Sequence, residues 1–303
     1  MSEYLPIVSV IISTYNRRAR LERAVRSVLG QGFAQFEIII VDNASEDDTQ
    51  EYVKSINDPR VRYIKDEINK GGPAARNTGI RNSRAGFIAL LDDDDEFLPD
   101  KLDKQVKKFL QTSVQVGLLY TGSEIFNEQK QSITKINRPI YRGDVYRRLL
   151  LSNIFPLNST LIKKECFDKV GFFDETLSSC QDWDMWMRIA REYEFDYIPE
   201  VLARVNEHED QISTNYSFLI PGRIRMVNKH RDEFEKYPEI FVIHLKRIGK
   251  LHCLNGTWLK ATGWFKEAIS INLLEIFKIA AWFIFEFPWV GLFSQNKNIR
   301  KFK

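Results

Sequence analysis

Four short apolar runs divide the first 91 residues at near-even intervals: "IVSVIIST" (7–14), "EIIIVDN" (37–43), "VRYI" (61–64) and "FIALL" (87–91). The first three are rich in β-branched residues, and helical patterns lie between the runs. After the first run, Leu21, Ala24, Val25, Val28 and Leu29 recur at helical spacing. Ser45 with Asp48 has the spacing of a capping box and predicts a helix through about Ile56. "GPAARNTGIRNS" (72–83) predicts another helix, and a further one follows Pro99. Strand alternating with helix means βαβ units, hence a parallel sheet covered on both faces.

Beyond about residue 115 the pattern loosens. "VGLLYTG" (116–122), "STLI" (159–162) and "FDYIPEVLARV" (195–205) read as strands. "RGDVYRRLLLSN" (142–153) and "CQDWDMWMRIAREYE" (180–194) read as helices. From about Ser217 the chain is mostly helical and rich in Lys, Arg and aromatics. The expected division is 1–215 as a catalytic domain, with a nucleotide-binding half (1–115) and an acceptor half (116–215), and 216–303 as a helical extension.

In open α/β sheets, ligands bind beyond the carboxyl ends of the strands. Three such ends are polar here: "TYNRR" (14–18), "VDNASEDD" (41–48) and "DDDDE" (92–96). Four consecutive aspartates repel one another unless a cation neutralises them, and oxygen ligands suit Mg²⁺ or Mn²⁺ bridged to phosphates. An acidic loop in solvent, or an adventitious Ca²⁺ site, is the plainer alternative for that cluster alone. A net charge of +3 gives no reason to expect nucleic acid as a partner. Three cysteines without CxxC spacing fit a reducing cytosol, and the N-terminus lacks the basic and small-residue marks of a signal peptide.

Five segments in order, "VSVIISTYNR", "EIIIVDNAS.DDT", "N.GGPAARNTGI", "IALLDDDDEFLPDKL" and "QDWDMWMR" with "H.DQIS", resemble the family 2 glycosyltransferases of GT-A fold over roughly residues 5–215. That resemblance implies a GT-A type α/β sheet flanked by helices, with a mostly helical C-terminal extension. It also implies an inverting, metal-dependent hexosyl-type transfer from a nucleotide-sugar, most often a UDP-sugar, to a saccharide or lipid-linked acceptor. The setting it implies is bacterial surface polysaccharide or glycolipid synthesis, in the cytoplasm or on the inner face of the cell membrane. Residue by residue, Thr14, Tyr15 and Arg17 map beside base and ribose, Asp42 onto the uracil edge, and Arg76 toward the nucleotide. The metal-binding Asp-x-Asp maps onto Asp92 and Asp94, with Asp93 near the ribose; Asp94 is the expected direct ligand, and Asp95 can share that role. Asn43 departs from the second Asp of many relatives, which alters base or ribose contacts.

The family's Gln-Asp or Glu-Asp pair maps onto Gln181 and Asp182. Ser179 and Asp182 repeat the capping spacing, which places Asp182 in a first helical turn, where the helix dipole favours an ionised base. Simple capping is the competing role. Trp183 is expected to line the acceptor pocket, against a core position; Asp184, Trp186 and Arg188 read as structural or supporting. His208 is expected on the metal or diphosphate, against an ordinary surface or core position, with Ser213 a weaker candidate.

Residues 271–293 are the most apolar part of the chain, but Glu275, Lys278 and Glu286 interrupt them and Pro288 would kink a helix. With the basic end "KNIRKFK", residues 271–303 fit a peripheral helix on an anionic membrane. The alternative packs them on the catalytic domain or on a second subunit of a homo-oligomer. Two other functions compete with the enzyme reading. A sugar-phosphate nucleotidyltransferase would need a Gly-rich loop that "STYNRRARL" lacks. A non-catalytic sugar-nucleotide scaffold would not need Asp42, Asp92, Asp94 and Asp182 together.

Overall fold

The first two strands, β1 (Val8–Thr14) and β2 (Phe36–Asp42), are dominated by β-branched residues, and every residue of β2 is buried. They pair in parallel from Val8 opposite Phe36 to Thr14 opposite Asp42. β3 (Val61–Lys65) extends the sheet beside β2, and β4 (Phe87–Asp92) joins β1 on the other side with Ser13 opposite Asp92. The register therefore ends Thr14, Asp42 and Asp92 on one rim, as the strand-end argument requires.

A computed structural model describes residues 5–208 and 215–286. The chain divides into two compact units, residues 1–176 with 181–208, and residues 177–180 with 209–303.

In the first unit, α1 (Arg18–Leu29) buries Leu21, Ala24, Val25 and Val28, the stripe read from the sequence. They pack with Ile38 and Ile40 of β2, and with Leu102 and Val106 of α4 (Lys101–Phe109). Each such side chain contributes about 1.5–3 kcal/mol on full burial. The opposite face carries Ile39 and Val41 against Ala75 of α3 (Gly72–Arg81). Both faces of the parallel part are thus covered. The connecting helix α2 (Thr49–Ser55) begins three residues later than the Ser45–Asp48 pattern predicts. Ser45 is instead drawn into the loop after β2, where its N–H donates to the Asp42 carboxylate at 2.7 Å.

The second half of this unit adds strands of both directions. β6 (Val116–Asn127), β8 (Thr160–Lys163) and β9 (Glu194–Glu207) match the predicted runs, and β6 and β9 extend past them. Two short or exposed strands had no apolar run to announce them: β5 (Glu96–Phe97) and β7 (Ser132–Asn137). Among the described residues the order is β3-β2-β1-β4-β8-β6-β9-β5, with β7 hydrogen-bonded to β6. β8 enters antiparallel to β4, so the sheet is mixed beyond the first four strands. α5 (Tyr146–Leu151), α6 (Lys164–Val170) and α7 (Gln181–Ala190) complete the unit. The Ser179 cap expected on α7 does not form; its hydroxyl donates to the Leu219 carbonyl at 3.3 Å.

The second unit is helical: α8 (Tyr216–Lys229), α9 (Arg231–Glu235), α10 (Pro238–Leu254), α11 (Trp258–Ile271) and α12 (Glu275–Ala281), continued by a wide turn over Trp282–Glu286. Asn215 caps α8 by accepting from the Ser217 N–H. Cys253, Ala261, Phe265, Ile279 and Trp282 form a small core, so one stripe of the apolar tail packs internally. Glu275 is buried by ion pairs with Lys246 and Lys278. Leu273, Leu274, Phe277, Ile284 and Phe285 remain 64–72% exposed. No helix among the described residues is long and apolar enough to cross a membrane. Ser213, Pro288 and the basic end lie outside the described residues.

Candidate active site

The acidic turn after β4 sorts its four aspartates by direction. Oxygens of Asp92, Asp94 and Asp95 lie within 4.8 Å of one another. Asp93 turns to β1, where Thr14 Oγ1 donates to it at 2.8 Å and Arg17 Nη1 at 3.2 Å. Arg17 also reaches Asp94 Oδ2 at 3.3 Å, and His208 Nε2 lies 2.8 Å from the same oxygen. On the far side, Arg76 Nη2 donates to Asp92 Oδ1 at 2.6 Å, and its Nη1 donates to Gln181 Oε1 at 3.0 Å. Tyr15 is 41% exposed on the same strand end as Thr14.

Crowding sets the electrostatics. Burial and the neighbouring Asp94 charge push the Asp93 carboxyl up to about 6, against Arg17 and Thr14. Burial also opposes charge on Asp94, but His208 and Arg17 outweigh it and hold that carboxyl below the ordinary value. Asp95 is raised well above it, by burial and then by the charges of Asp94 and Asp92. Such a cluster is short of positive charge.

Asn206 is the support that sequence reasoning missed, and it holds Asp95, the residue expected to share the role of Asp94. Asp95 accepts from Asn158 Nδ2 and from the Asn206 N–H, both at 3.0 Å. Asn206 Nδ2 then donates to the Asp94 carbonyl and to Glu96 Oε1. The end of β9 is thereby pinned to the acidic turn, which presents His208 to Asp94. The signal was available: Asn206 stands at the end of the predicted strand run, two residues before His208.

Asp42 departs from the expected role. It is fully buried, with Oδ1 accepting from Ser45 and Oδ2 from the Tyr63 hydroxyl. This geometry makes it the anchor of the loop after β2 rather than a carboxylate facing a base. Asn16 (φ 51°) and Ala44 (φ 67°) are left-handed in the loops beside it, a conformation that costs non-glycine residues of order 1 kcal/mol or more. Asn43 uses its amide in both senses, donating to Asn69 Oδ1 at 2.7 Å and accepting from the Lys70 N–H at 2.9 Å. An ionised Asp there could accept only.

Asp182 stands in the first turn of α7, one residue beyond the Gln181 that Arg76 holds. Oδ2 accepts from Asn153 Nδ2 at 2.7 Å and Oδ1 from the Trp183 N–H at 2.8 Å. Burial raises its carboxyl above the ordinary value, opposed by those two donors and by Arg76. Trp183 corrects an expectation: it is 3% exposed and its indole N–H donates to the Leu149 carbonyl. With no open ring face, it is a core residue that steadies α7 and not an acceptor platform. Arg188 pairs with Asp184 at 3.0 Å and donates to the carbonyls of Val170, Gly171 and Phe172, a structural role.

Sequence comparison decides the family. The profile described as "Glycosyl transferase family 2" matches residues 9–171, more than half of the chain. The chain belongs to glycosyl transferase family 2. Among similar proteins is WcaA of Escherichia coli K12, named for colanic acid biosynthesis, 30% identical over 76% of this chain and 84% of its own. Another is an uncharacterized glycosyltransferase of Methanocaldococcus jannaschii, MJ1057, 31% identical over 66% of this chain and 70% of its own. Solved structures with a similar fold include S. aureus TarS 1–349 in complex with UDP-GlcNAc, at TM-score 0.61 and 17% identity over 87% of this chain and 81% of that one. The mannosyltransferase PcManGT from Pyrobaculum calidifontis, in complex with GDP-Man and Mn²⁺, also reaches 0.61, at 16% identity over 96% and 84%. The fold is accordingly the α/β arrangement of GT-A glycosyltransferases with a helical C-terminal region, and the protein is a glycosyltransferase.

Proposed function

We propose that this glycosyltransferase moves a sugar from a nucleoside diphosphate donor, with UDP as the leading candidate, to an acceptor hydroxyl with inversion and with the help of Mg²⁺ or Mn²⁺. The observation that carries the proposal is the convergence of Asp92, Asp94 and Asp95 within 4.8 Å, with Arg76 linking Asp92 to the helix that bears Asp182. Three hard oxygen donors with too little positive charge around them fit a divalent cation. When bound, such an ion supplies positive charge to the departing diphosphate.

The chain's own groups do the rest. Thr14, Arg17 and Asp93 form the wall of the donor pocket beside β1, and Tyr15 offers an exposed ring for the base. Arg17 and Arg76 are placed to exchange carboxylate partners for phosphate oxygens. His208 orients Asp94. Asp182 takes the acceptor hydroxyl proton; Asn153 and the Trp183 N–H fix its direction, and its raised carboxyl makes it a better proton acceptor while still ionised. One displacement with a base opposite the leaving group inverts the anomeric carbon, and no covalent enzyme intermediate is required.

The E. coli relative's name supports an acceptor in surface polysaccharide or glycolipid synthesis, and the exposed Leu273, Leu274, Phe277, Ile284 and Phe285 support peripheral contact with the inner face of the membrane. The test is a thermal-shift screen of nucleotide-sugars with Mn²⁺, followed by NMR of the product's anomeric configuration. Stabilisation by one donor and an inverted product are expected. Retention of configuration would refute the role of Asp182, and indifference to every donor would refute the transferase site.

A further inference from the structure

Lys101 is fully enclosed at the start of α4, and no carboxylate pairs with it among the described residues. Burial alone pushes its ammonium well below the ordinary value. An apolar side chain would fill the same space without stripping water from an amine. What the amine supplies is direction. Nζ donates to Gln105 Oε1 at 2.7 Å and to the Thr160 carbonyl at 3.2 Å, and it lies 4.0 Å from the centre of the Phe97 ring. Gln105, also enclosed, donates from Nε2 to the Ser159 carbonyl at 3.0 Å.

Those two carbonyls close and border the short turn Leu157–Ser159, which carries Asn158. Asn158 is 1% exposed, and its Nδ2 donates to Asp95 Oδ2 at 3.0 Å and to the Arg204 carbonyl at 2.9 Å. Its Oδ1 is enclosed with no partner among the described residues. The amide is thus kept for its donors, although a buried acceptor is left unsatisfied. Apolar packing does not fix where such an amide points, whereas directional hydrogen bonds to the turn that bears it do.

We infer that Lys101 and Gln105 are positioning residues for Asp95: they lock the Leu157–Ser159 turn so that the Asn158 amide holds the Asp95 carboxylate beside Asp92 and Asp94. The inference rests on the divalent-cation reading of those three carboxylates. Removing a hydrogen-bond partner of a metal ligand commonly weakens metal binding by about 10–100-fold.

The experiment follows free Mn²⁺ by electron paramagnetic resonance as the ion is titrated into the full chain, alone and with UDP or GDP, against nucleotide-only blanks. Thermal unfolding of each variant is recorded beside it. The parent is expected to take up the ion. Lys101→Met, close in length but without N–H donors, should weaken uptake by about tenfold, and Asn158→Ala by about 10–100-fold. In the double variant the Lys101 effect on Mn²⁺ should vanish, because Asn158 transmits it, while its effect on the melting temperature persists. Gln105→Met removes the Ser159 contact and carries the same expectations if Lys101→Met does not fold. Parent-like Mn²⁺ affinity in a folded Lys101 or Gln105 variant would make the pair purely structural and overturn the inference. Losses that multiply fully in the double variant would also overturn it. A parent that takes up no Mn²⁺ under any of these conditions would overturn the cation reading itself, and the inference with it.

Discussion

Helix α3 can lie close against β1 because residue 79 is glycine. A Cβ there would sit 2.3 Å from Ile11 Cγ2 and 3.2 Å from its Cγ1, and Ile11 is fully enclosed. Gly79→Ala gains about 1 kcal/mol of helix propensity. Overpacking an enclosed site costs about 1–3 kcal/mol, and an overlap more than about 1 Å inside normal carbon contact belongs at the upper end. The net loss is about 1–2 kcal/mol, or about 2–8 °C in Tm for a unit of this size. The same displacement reaches the site, since Arg76 sits one turn earlier on α3 with its guanidinium 2.6 Å from Asp92. A shift of about 1 Å in a positioning group can cost on the order of 100-fold in rate, so turnover should fall further than stability. Thermal unfolding and steady-state transfer would measure both. In an Ile11→Ala background, itself destabilised by about 2–5 kcal/mol, the 2.3 Å overlap is removed and only the Cβ of residue 11 stays close, at 3.3 Å, so Gly79→Ala should be near neutral or stabilising. A single Gly79→Ala variant that melts higher and keeps full activity would refute the reasoning.

Other outcomes follow from the same geometry. Asp182→Asn should lower kcat by roughly 10²–10⁴ while the donor dissociation constant stays near that of the parent; an active variant would move the base elsewhere. Glu37 is enclosed, and although burial pushes its carboxyl up, hydrogen bonds from Ser9, Arg62 and Arg84 bring it below the ordinary value. Its stabilising contribution is complete above the unfolded carboxyl's titration and fades as pH falls through the lower folded value. Glu37→Gln should therefore cost roughly 1–3 kcal/mol at neutral pH and flatten the acid limb of the stability curve, read by denaturant titration from pH 3 to 7. Leu274→Glu with Phe277→Glu should weaken sedimentation with anionic vesicles by about tenfold or more, and unchanged binding would remove the membrane role from this face.

The strand–helix alternation up to β4 was legible because buried parallel strands are continuous apolar runs, and the register that lines up Thr14, Asp42 and Asp92 follows from that pattern. The acidic turn was legible as chemistry but not as geometry. Nothing in "DDDD" says that Asp93 faces Thr14 while Asp92, Asp94 and Asp95 converge. Asp42 and Trp183 show the opposite limit. Residue type identified both as notable, but burial depends on contacts with Tyr63 and Leu149, distant in sequence and silent in any local pattern. β5 and β7 escaped because a two-residue strand has no periodicity and an exposed one has little apolar content. Ser45 and Ser179 misled for a shared reason: both kept the capping spacing, yet each hydroxyl residue found a partner outside the expected helix.

The most direct test of the account is calorimetric binding of the stabilising nucleotide-sugar with and without Mn²⁺, on the parent chain and on Asp94→Asn. The account predicts tight binding that requires the ion in the parent and is lost, with turnover, in the variant. Equal donor affinity in the presence of a chelator, together with full turnover, would contradict it.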